Sequence, residues 1–197
     1  MEEEKREFEE IRVGERIKEL REKKGLSLKD LADLTGFSTA LLSQMENHLV
    51  SPSLGTIIKL AGALGVRVGD FWGETKGEPF TIVRKNERKT VSRFASKDGV
   101  KYGYSYESLG FDKKERHMEP FIVTLEPATV KTAKTSVHEG EEFIFVLEGE
   151  MEVILGNHTD VLYSGDSIYY DSTIPHRVQC HQEKITRILA VLYAPIT

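Results

Sequence analysis

Hydrophobic residues in the first third of the chain recur every three or four positions, in short runs separated by turn-forming residues. This spacing places them along one side of a helix. After Ser27, the apolar residues with this spacing are Leu28, Leu31, Ala32 and Leu34. Ser27 is suited to cap the start of this helix, and Gly36 is suited to end it in the left-handed conformation. The pattern therefore predicts a short helix between Ser27 and Gly36.

A second short helix is predicted directly after Gly36, with Ser38 as its N-cap. The apolar residues that form its inner side are Leu41, Leu42 and Met45. Its outer side carries small, neutral residues, and most of them can form hydrogen bonds: Thr39, Ala40, Ser43, Gln44 and Asn47. A helix that only has to remain soluble more often carries Glu and Lys there, whereas a helix that enters a DNA groove needs short polar side chains. The two helices together predict a helix-turn-helix motif.

Beyond a polar linker at residues 73–79, helical spacing gives way to short apolar runs that are typical of strands. The predicted strands lie at 80–84, 102–106, 121–125, 142–147, 151–155, 167–170 and 188–193. Turn-forming residues at 148–150 and 164–166 separate some of them, as in an all-β sandwich or barrel. We therefore predict an α+β multidomain protein, with an all-α bundle over 11–73, a linker and first strand over 74–98, and an all-β barrel over 99–197.

Charge restricts the kind of DNA contact that this chain can make. The formal net charge of −5 argues against a general nucleic-acid coat protein. Residues 11–73 contain nine Lys and Arg against seven Asp and Glu, a local net charge of +2. The expected phosphate contacts are Lys29 and Lys59, with Arg16, Lys23 and Lys24 as further candidates. So few cations predict modest non-specific affinity, and specific binding then requires a dimer that contacts two half-sites about 34 Å apart.

Two further features bear on the cellular compartment. Cys180 is the only cysteine, which excludes a disulfide within the chain and is typical of cytosolic proteins. No apolar run approaches the roughly 20 residues that span a bilayer, and the Glu-rich first ten residues do not resemble a signal peptide. We therefore expect a cytoplasmic protein without a membrane partner.

Three residues of the barrel segment are candidate metal ligands. His138 and Glu142 are four residues apart, and His176 follows much later in the chain. Two imidazoles and one carboxylate form a set that non-haem Fe(II) or another divalent ion accepts, with open coordination positions opposite. An alternative that the residues leave open is a metal-free arrangement, in which His138 is a loop histidine and Glu142 pairs with Arg177 or His176.

Tyr102, Tyr104 and Tyr106 alternate with small residues and therefore share one face of a predicted strand. If this face lines the barrel, the three phenols form an aromatic wall whose hydroxyls can hold a polar ligand. The equally weighted alternative is a face buried against another element or a dimer partner. Arg116 is expected to lie in a surface loop.

Residues 14–73 resemble the lambda-repressor-like, XRE-type DNA-binding domains. The matching stretches are 14–21, 31–32, 42–47 and 51–61, together with Gly65, Val66 and Phe71. His48 departs from the family pattern, which usually has Gly after Glu-Asn. The resemblance implies specific binding to a double-stranded DNA operator. The residues assigned to this contact are Ser27, Lys29, Ser38, Thr39, Ala40, Ser43, Gln44 and Asn47.

The barrel segment is similar to the cupin superfamily. His138, Glu142 and Gly149 match its first motif, and Gly165 with Pro175-His176 matches its second. Ser136 stands where the family has its first metal-binding His, so three of four ligands are present. The resemblance implies a double-stranded β-helix barrel that holds a divalent metal (Fe, Zn, Ni or Mn) or a small-molecule effector. Tyr102, Tyr104 and Ser136 are the candidate pocket residues.

Two functions are compatible with these patterns. The first is a transcriptional regulator that binds DNA as a homodimer paired through the cupin, responds to an effector, and has no catalytic residues. The second comes from a resemblance to iron-dependent hydroxypropylphosphonate epoxidases, which also combine a helix-turn-helix with a cupin. It implies a mononuclear non-haem iron oxygenase with His138, Glu142 and His176 as iron ligands. We favour the regulator, because an enzyme without a DNA role has no need for groove-compatible residues such as Ser43 and Gln44.

Overall fold

The computed structural model describes residues 13–47, 49–50, 52–72, 77–95, 101–127 and 135–195. Its helices are α1 (Val13–Lys23), α2 (Leu28–Thr35), α3 (Thr39–Glu46) and α4 (Leu54–Leu64), followed by a 3₁₀ helix at Val68–Trp72. The strands are β1 (Lys89–Ala95), β2 (Lys101–Ser108), β3 (Met118–Leu125), β4 (Glu141–Glu148), β5 (Glu150–Leu155), β6 (His158–Tyr163), β7 (Ser167–Asp171), β8 (His176–Cys180) and β9 (Thr186–Tyr193). The predicted class, a helical bundle followed by an all-β domain, is confirmed.

The ends of α2 and α3 follow the local sequence signals. The Ser27 hydroxyl accepts a hydrogen bond from the Asp30 amide, and the Asp30 carboxylate accepts one from the Ser27 amide, which forms a capping box. Gly36 ends α2 with a φ of 68°, in the left-handed region. Ser38 caps α3 by accepting a hydrogen bond from the Leu41 amide. These predictions are confirmed.

The buried sides of α2 and α3 differ in detail from the predicted apolar stripes. Leu34 is 58% exposed, because Thr35 occupies the inward position and donates its hydroxyl hydrogen to the Leu31 carbonyl at 2.6 Å. Leu41 is only half-buried, and α3 instead buries Glu46 beside Leu42 and Met45. A buried carboxylate requires a partner.

That partner is Arg21, which reaches from α1. The Arg21 Nε donates to Glu46 Oε1 at 2.6 Å and its Nη2 donates to Glu46 Oε2 at 2.8 Å. A third guanidinium nitrogen, Nη1, donates to the carbonyl of Leu26 at 2.7 Å. The pair fixes the end of α3 against α1 and therefore sets the orientation of the helix predicted to contact DNA.

The β domain consists of two antiparallel sheets. The larger has the order β1-β2-β3-β9-β4-β7, and the smaller has the order β6-β5-β8. The prediction of a strand at 80–84 is wrong: this segment has no regular structure, and Phe80 and Ile82 are 68% and 64% exposed. Apolar alternation forms a strand only where it pairs with a neighbouring strand, and this segment pairs with no strand of the two described sheets.

The helical domain packs on the β domain through α4 and the 3₁₀ helix, and one continuous apolar core joins them. Trp72 meets Phe121 of β3 edge to face, with ring centroids 6.2 Å apart. The expectation that Arg116 is a surface residue is wrong. Its guanidinium is buried against Gly69 and forms an ion pair with Glu119 at 2.8 Å, which allows its burial. In the described residues, no helix is long and apolar enough to cross a membrane.

Candidate functional site

The outer surface of the helical domain carries the residues predicted to contact DNA. Those exposed on and around α3 are Ser38, Thr39, Ala40, Gln44 and Asn47, while Ser43 is half-buried. The side-chain amide of Asn47 donates to the carbonyl of Ser43 at 2.8 Å, which holds it at the end of α3. The hydroxyls of Ser27 and Ser38 serve as helix caps. Thr39, Ala40 and Gln44 are therefore the side chains of α3 that are most accessible for the predicted contact with DNA.

The cations around α3 divide into two groups. Lys59 is exposed, and its ammonium lies 5.1 Å from the ring centroid of Phe37. Lys29 is exposed at the start of α2 and pairs with Asp33 at 3.0 Å. Arg16, by contrast, donates to the carbonyl of Asp70 at 2.8 Å and so helps to hold the 3₁₀ helix. The hydrogen bond of Arg16 to Asp70 thus competes with a phosphate contact by the same side chain.

The three candidate metal ligands converge inside the barrel. His138 precedes β4, Glu142 lies within β4, and His176 begins β8. His138 Nε2 is 2.9 Å from Glu142 Oε1, and His176 Nε2 is 3.6 Å from the same oxygen. One ligand atom from each residue lies within 4.8 Å of the other two. We call these three residues the His/Glu cluster.

Backbone carbonyls and one hydroxyl orient the cluster. The Nδ1 of His138 lies 3.1 Å from the Glu139 carbonyl, and the Nδ1 of His176 lies 2.9 Å from the Ile174 carbonyl. A carbonyl can only accept, so each ring carries a proton at Nδ1, and Nε2 faces Glu142, where a metal ion would take the place of the proton on Nε2. The Tyr170 hydroxyl donates to Glu142 Oε2 at 2.6 Å. The sequence pattern did not identify Tyr170, because its contact depends on the pairing of β4 with β7.

The charge distribution favours a cation at the cluster. Burial tends to raise the pKa of Glu142, but hydrogen bonds from His138, His176 and Tyr170 outweigh it and lower that pKa to about 2. Burial tends to lower the pKa of His176, whereas its hydrogen bond to Glu142 raises it, and the net shift is upward. An ionised carboxylate between two imidazoles is a donor set that suits divalent transition metals, so these residues fit a bound ion.

Two of the three predicted tyrosines share the inner face of β2. The rings of Tyr104 and Tyr106 stack with centroids 6.3 Å apart, and the Tyr104 hydroxyl donates to the Val178 carbonyl at 2.7 Å. Burial, with Tyr104 and Glu142 nearby, raises the pKa of Tyr106 well above its usual value. Tyr106, one of the three phenols of the predicted aromatic wall, thus lies near enough to Glu142 of the cluster to be affected by its charge. The side chain of Tyr102, like residue His48, lies outside the described residues.

Ser136 joins the cluster to the helical domain. Its amide and carbonyl form two hydrogen bonds with the backbone of His176, at 2.8 and 3.0 Å. Its side chain lies against Gly55 in the first turn of α4. Next to this contact, a crevice of about 340 Å³ separates α4 from the barrel, with Ile58 and Lys59 on one side and Val137 and His138 on the other.

Comparison with known proteins assigns a family to each domain. Residues 17–71 match the helix-turn-helix family model, and residues 121–192 match the cupin domain model. Over 94% of its length, the chain superposes on 96% of a crystal structure of an HTH_3 family transcriptional regulator from Vibrio cholerae, with a TM-score of 0.66 and 25% identity.

Three curated proteins are similar to this chain in sequence. The HTH-type transcriptional regulator PuuR of Escherichia coli is 27% identical over 186 residues, which cover 93% of this chain and 95% of PuuR. The HTH-type transcriptional regulator SinR of Bacillus licheniformis is 30% identical over 108 residues, covering 54% of this chain and 97% of SinR. The (S)-2-hydroxypropylphosphonic acid epoxidase of Streptomyces wedmorensis is 28% identical over 175 residues, covering 83% of this chain and 85% of the epoxidase. The chain therefore belongs to the helix-turn-helix transcriptional regulators, and it carries a cupin domain behind the helix-turn-helix.

Proposed function

We propose that this protein is a cytoplasmic transcriptional regulator that binds a specific double-stranded DNA operator and whose cupin domain binds a divalent metal or a small-molecule effector. The observation that carries the proposal is the outer face of α3, where Thr39, Ala40 and Gln44 are exposed and neutral. Side chains of this kind fit a major groove without an electrostatic penalty. Both whole-chain similarity to regulators and the helix-turn-helix match support the same conclusion.

In this proposal α3 contacts base edges and the cations around it contact phosphates. Gln44 has the amide that pairs with adenine in the major groove, Ser43 is the residue before it, and Asn47 follows about one turn later. Lys29 and Lys59 neutralise phosphates on either side of the groove. With so few cations, one helical domain contributes little affinity, and two must act together.

Fluorescence anisotropy with labelled DNA from the gene's own promoter region tests this function. A single bidentate base contact contributes about 1–3 kcal/mol. We therefore expect Gln44→Ala to weaken specific binding by about 5- to 150-fold and to leave binding to random duplex almost unchanged. Gln182→Ala, at an exposed glutamine of the cupin domain, is the control and should bind as the wild type does. Equal affinity of the wild type for promoter and random DNA would contradict the proposal.

The outer face of the large sheet is the surface we propose for pairing two copies. Exposed apolar residues run across four adjacent strands of this face: Met118, Phe143, Leu147, Tyr169 and Tyr193. Phe143 lies opposite Tyr169 on β7 and opposite Val191 on β9, so the patch is continuous. Apolar patches of this extent mark protein interfaces.

The exposed area suits a dimer of modest size. Phe143, Tyr169 and Tyr193 are 36%, 66% and 42% exposed. With about 150–250 Å² for each whole aromatic side chain, they alone expose about 300 Å². A standard interface buries about 800 Å² per partner, and the half-buried residues on the same face supply much of the remainder.

Light scattering after size-exclusion chromatography tests this surface. Tyr169→Arg places a charge in the centre of the patch and should convert the dimer to a monomer at micromolar concentration. Tyr163→Arg is the matched control, because Tyr163 is 57% exposed but belongs to the small sheet. A monomeric wild type, or a dimer that only Tyr163→Arg disrupts, would refute this interface.

A second candidate function is a mononuclear iron oxygenase, which the two-histidine, one-carboxylate cluster favours together with the similarity to an epoxidase. His138, Glu142 and His176 would hold the ion, which supplies open positions for substrate and dioxygen. Anaerobic loading with Fe(II), followed by measurement of oxygen consumption, tests it. Iron-dependent consumption that His138→Ala abolishes would support the enzyme, and stoichiometric metal binding without consumption would leave the regulator.

A further inference from the structure

The candidate metal site and the helical domain meet at one close contact. A methyl group added at Gly55 would lie 2.8 Å from the Oγ of Ser136 and 3.0 Å from its Cβ. It would lie 3.7 Å from Cδ2 of His138, one of the cluster residues. Gly55 has no positive φ that would require glycine. Glycine at this position therefore serves the close approach of α4 to the barrel, and not a turn.

Ser136 connects this contact to a second cluster residue. Its backbone forms two hydrogen bonds with His176, at 2.8 and 3.0 Å, while its side chain packs on Gly55. A displacement of His176 therefore moves Ser136, because the two hydrogen bonds fix the strands locally. Ser136 by itself therefore connects His176 of the cluster with Gly55 of α4.

A parallel link runs through the tyrosines of β2. The hydroxyl of Tyr106 is hydrogen-bonded to the backbone of Leu54, the first residue of α4. Tyr106 stacks on Tyr104, which is anchored to β8 through the carbonyl of Val178. The first turn of α4 is thus held to the barrel from two directions.

A displacement at the contact between Gly55 and Ser136 is transmitted to α3 because the helical domain is a single packed unit. Ile57 and Leu60 of α4 share its buried core with Leu42 and Met45 of α3. Close-packed interiors transmit displacements instead of absorbing them. A shift at the start of α4 therefore changes the position or the mobility of α3.

We propose that the Gly55–Ser136 contact couples the state of the His/Glu cluster to the DNA-contacting surface of α3. The proposal rests on the proposed function for its biological meaning, but the coupling itself is a property of the two packed domains. An ion or ligand that repositions His176 or His138 changes the docking of α4. By linkage, a change in docking alters the affinity of the cluster by the same factor.

Hydrogen exchange of the helical domain tests the coupling without requiring DNA or a known effector. In chelator-treated protein, His176→Ala is expected to accelerate exchange of the α3 and α4 amides by about fivefold or more, the lower end of typical coupling. Met151→Ala, which removes a fully buried side chain of β5, controls for general loss of barrel stability and should change these amides less. Unchanged exchange in His176→Ala, or the same change in Met151→Ala, would overturn the proposal.

Alanine variants of two glycines in α4 form a matched pair that tests the contact itself. Gly→Ala at either position improves helix propensity by at most about 1 kcal/mol, the value for a helix interior. A methyl group at Gly62 would meet nothing within 4 Å, whereas a methyl group at Gly55 would meet Ser136. We expect Gly55→Ala to mimic the faster exchange of His176→Ala, and Gly62→Ala to slow exchange slightly. The double variant Gly55→Ala/Ser136→Gly removes the steric conflict and should restore wild-type exchange.

DNA binding separates failure of the coupling from failure of the proposed function. If the protein is a regulator, Gly55→Ala should change operator affinity by about fivefold or more, while Gly62→Ala should not. If no specific operator binding is found, the exchange experiment still decides whether the coupling exists. Operator affinity and exchange that are both unaffected by Gly55→Ala would overturn the coupling and leave the DNA-binding function intact.

Discussion

The Arg21–Glu46 ion pair offers a quantitative test of how the helical domain holds α3. Its side chains are only 9% and 4% exposed, and the guanidinium makes three hydrogen bonds of 2.6 to 2.8 Å to Glu46 and the Leu26 carbonyl. Removing one partner of such a pair leaves the other charge buried without compensation, which costs about 3–5 kcal/mol. We expect Glu46→Leu and Arg21→Met each to lose stability in this range.

The double variant shows whether the single variants lose stability because a buried charge is left unpaired. Replacement of both members of a buried ion pair by apolar residues is often close to neutral. Arg21→Met/Glu46→Leu should therefore lose much less than the sum of the two single variants, and less than either of them. The coupling energy between the two positions is then several kcal/mol, well above the 0.3–0.5 kcal/mol within which independent sites add.

Urea unfolding at neutral pH measures these differences. Helical ellipticity reports on α1 to α4, and Trp72, the only tryptophan, reports on the junction with β3. Asp33→Asn breaks the Lys29–Asp33 pair, whose side chains are 80% and 67% exposed, and should leave the midpoint unchanged. If Glu46→Leu costs less than about 1 kcal/mol, or if the single and double variants are additive, the argument from burial is wrong.

Three further predictions concern the barrel. Tyr170→Phe removes the hydroxyl that donates to Glu142, so the pKa of Glu142 should rise and metal affinity, measured by competition with a chromophoric chelator, should fall about tenfold. Gly140→Ala should destabilise the fold by more than about 3 kcal/mol in urea unfolding, because its φ is 103° and a methyl group would lie 1.9 Å from the Tyr193 carbonyl oxygen. Gly156→Ala, where a methyl group would have ordinary contacts, should cost only about 1–2 kcal/mol. Thr186→Val should cost about 1–3 kcal/mol in the same assay, because the fully buried hydroxyl donates to the Glu150 carbonyl and accepts from the Glu150 amide.

The helical domain was largely predictable because its signals are local. Ser27, Gly36 and Ser38 act within three or four residues of the chain, and the structure places each at the cap that the sequence indicated. The burial of Glu46 was not predictable in the same way. Its partner Arg21 lies 25 residues away, and no periodicity within α3 distinguishes a paired buried carboxylate from an exposed one.

The β domain shows the limit of local signals. The three candidate metal ligands could be selected because their residue types and spacing match a known motif, and the structure brings them together. Tyr170 could not, since its contact with Glu142 requires knowledge of the β4–β7 register. The strand predicted at 80–84 does not form, for a related reason: strand formation depends on a partner strand that the segment's own residues do not specify.

Ser136 suggests why this cupin has three candidate metal ligands and not four. It stands where the cupin pattern has a histidine, and its side chain is the one that Gly55 of α4 packs against. We expect an imidazole there to compete with the first turn of α4 for the same space, so that the docked helical domain and a fourth candidate ligand exclude each other. Ser136→His is accordingly expected to release the helical domain, seen as faster proteolysis between α4 and β1, and not simply to complete a four-ligand site. A Ser136→His protein that binds metal more tightly while its helical domain remains protected would show that the two features are independent.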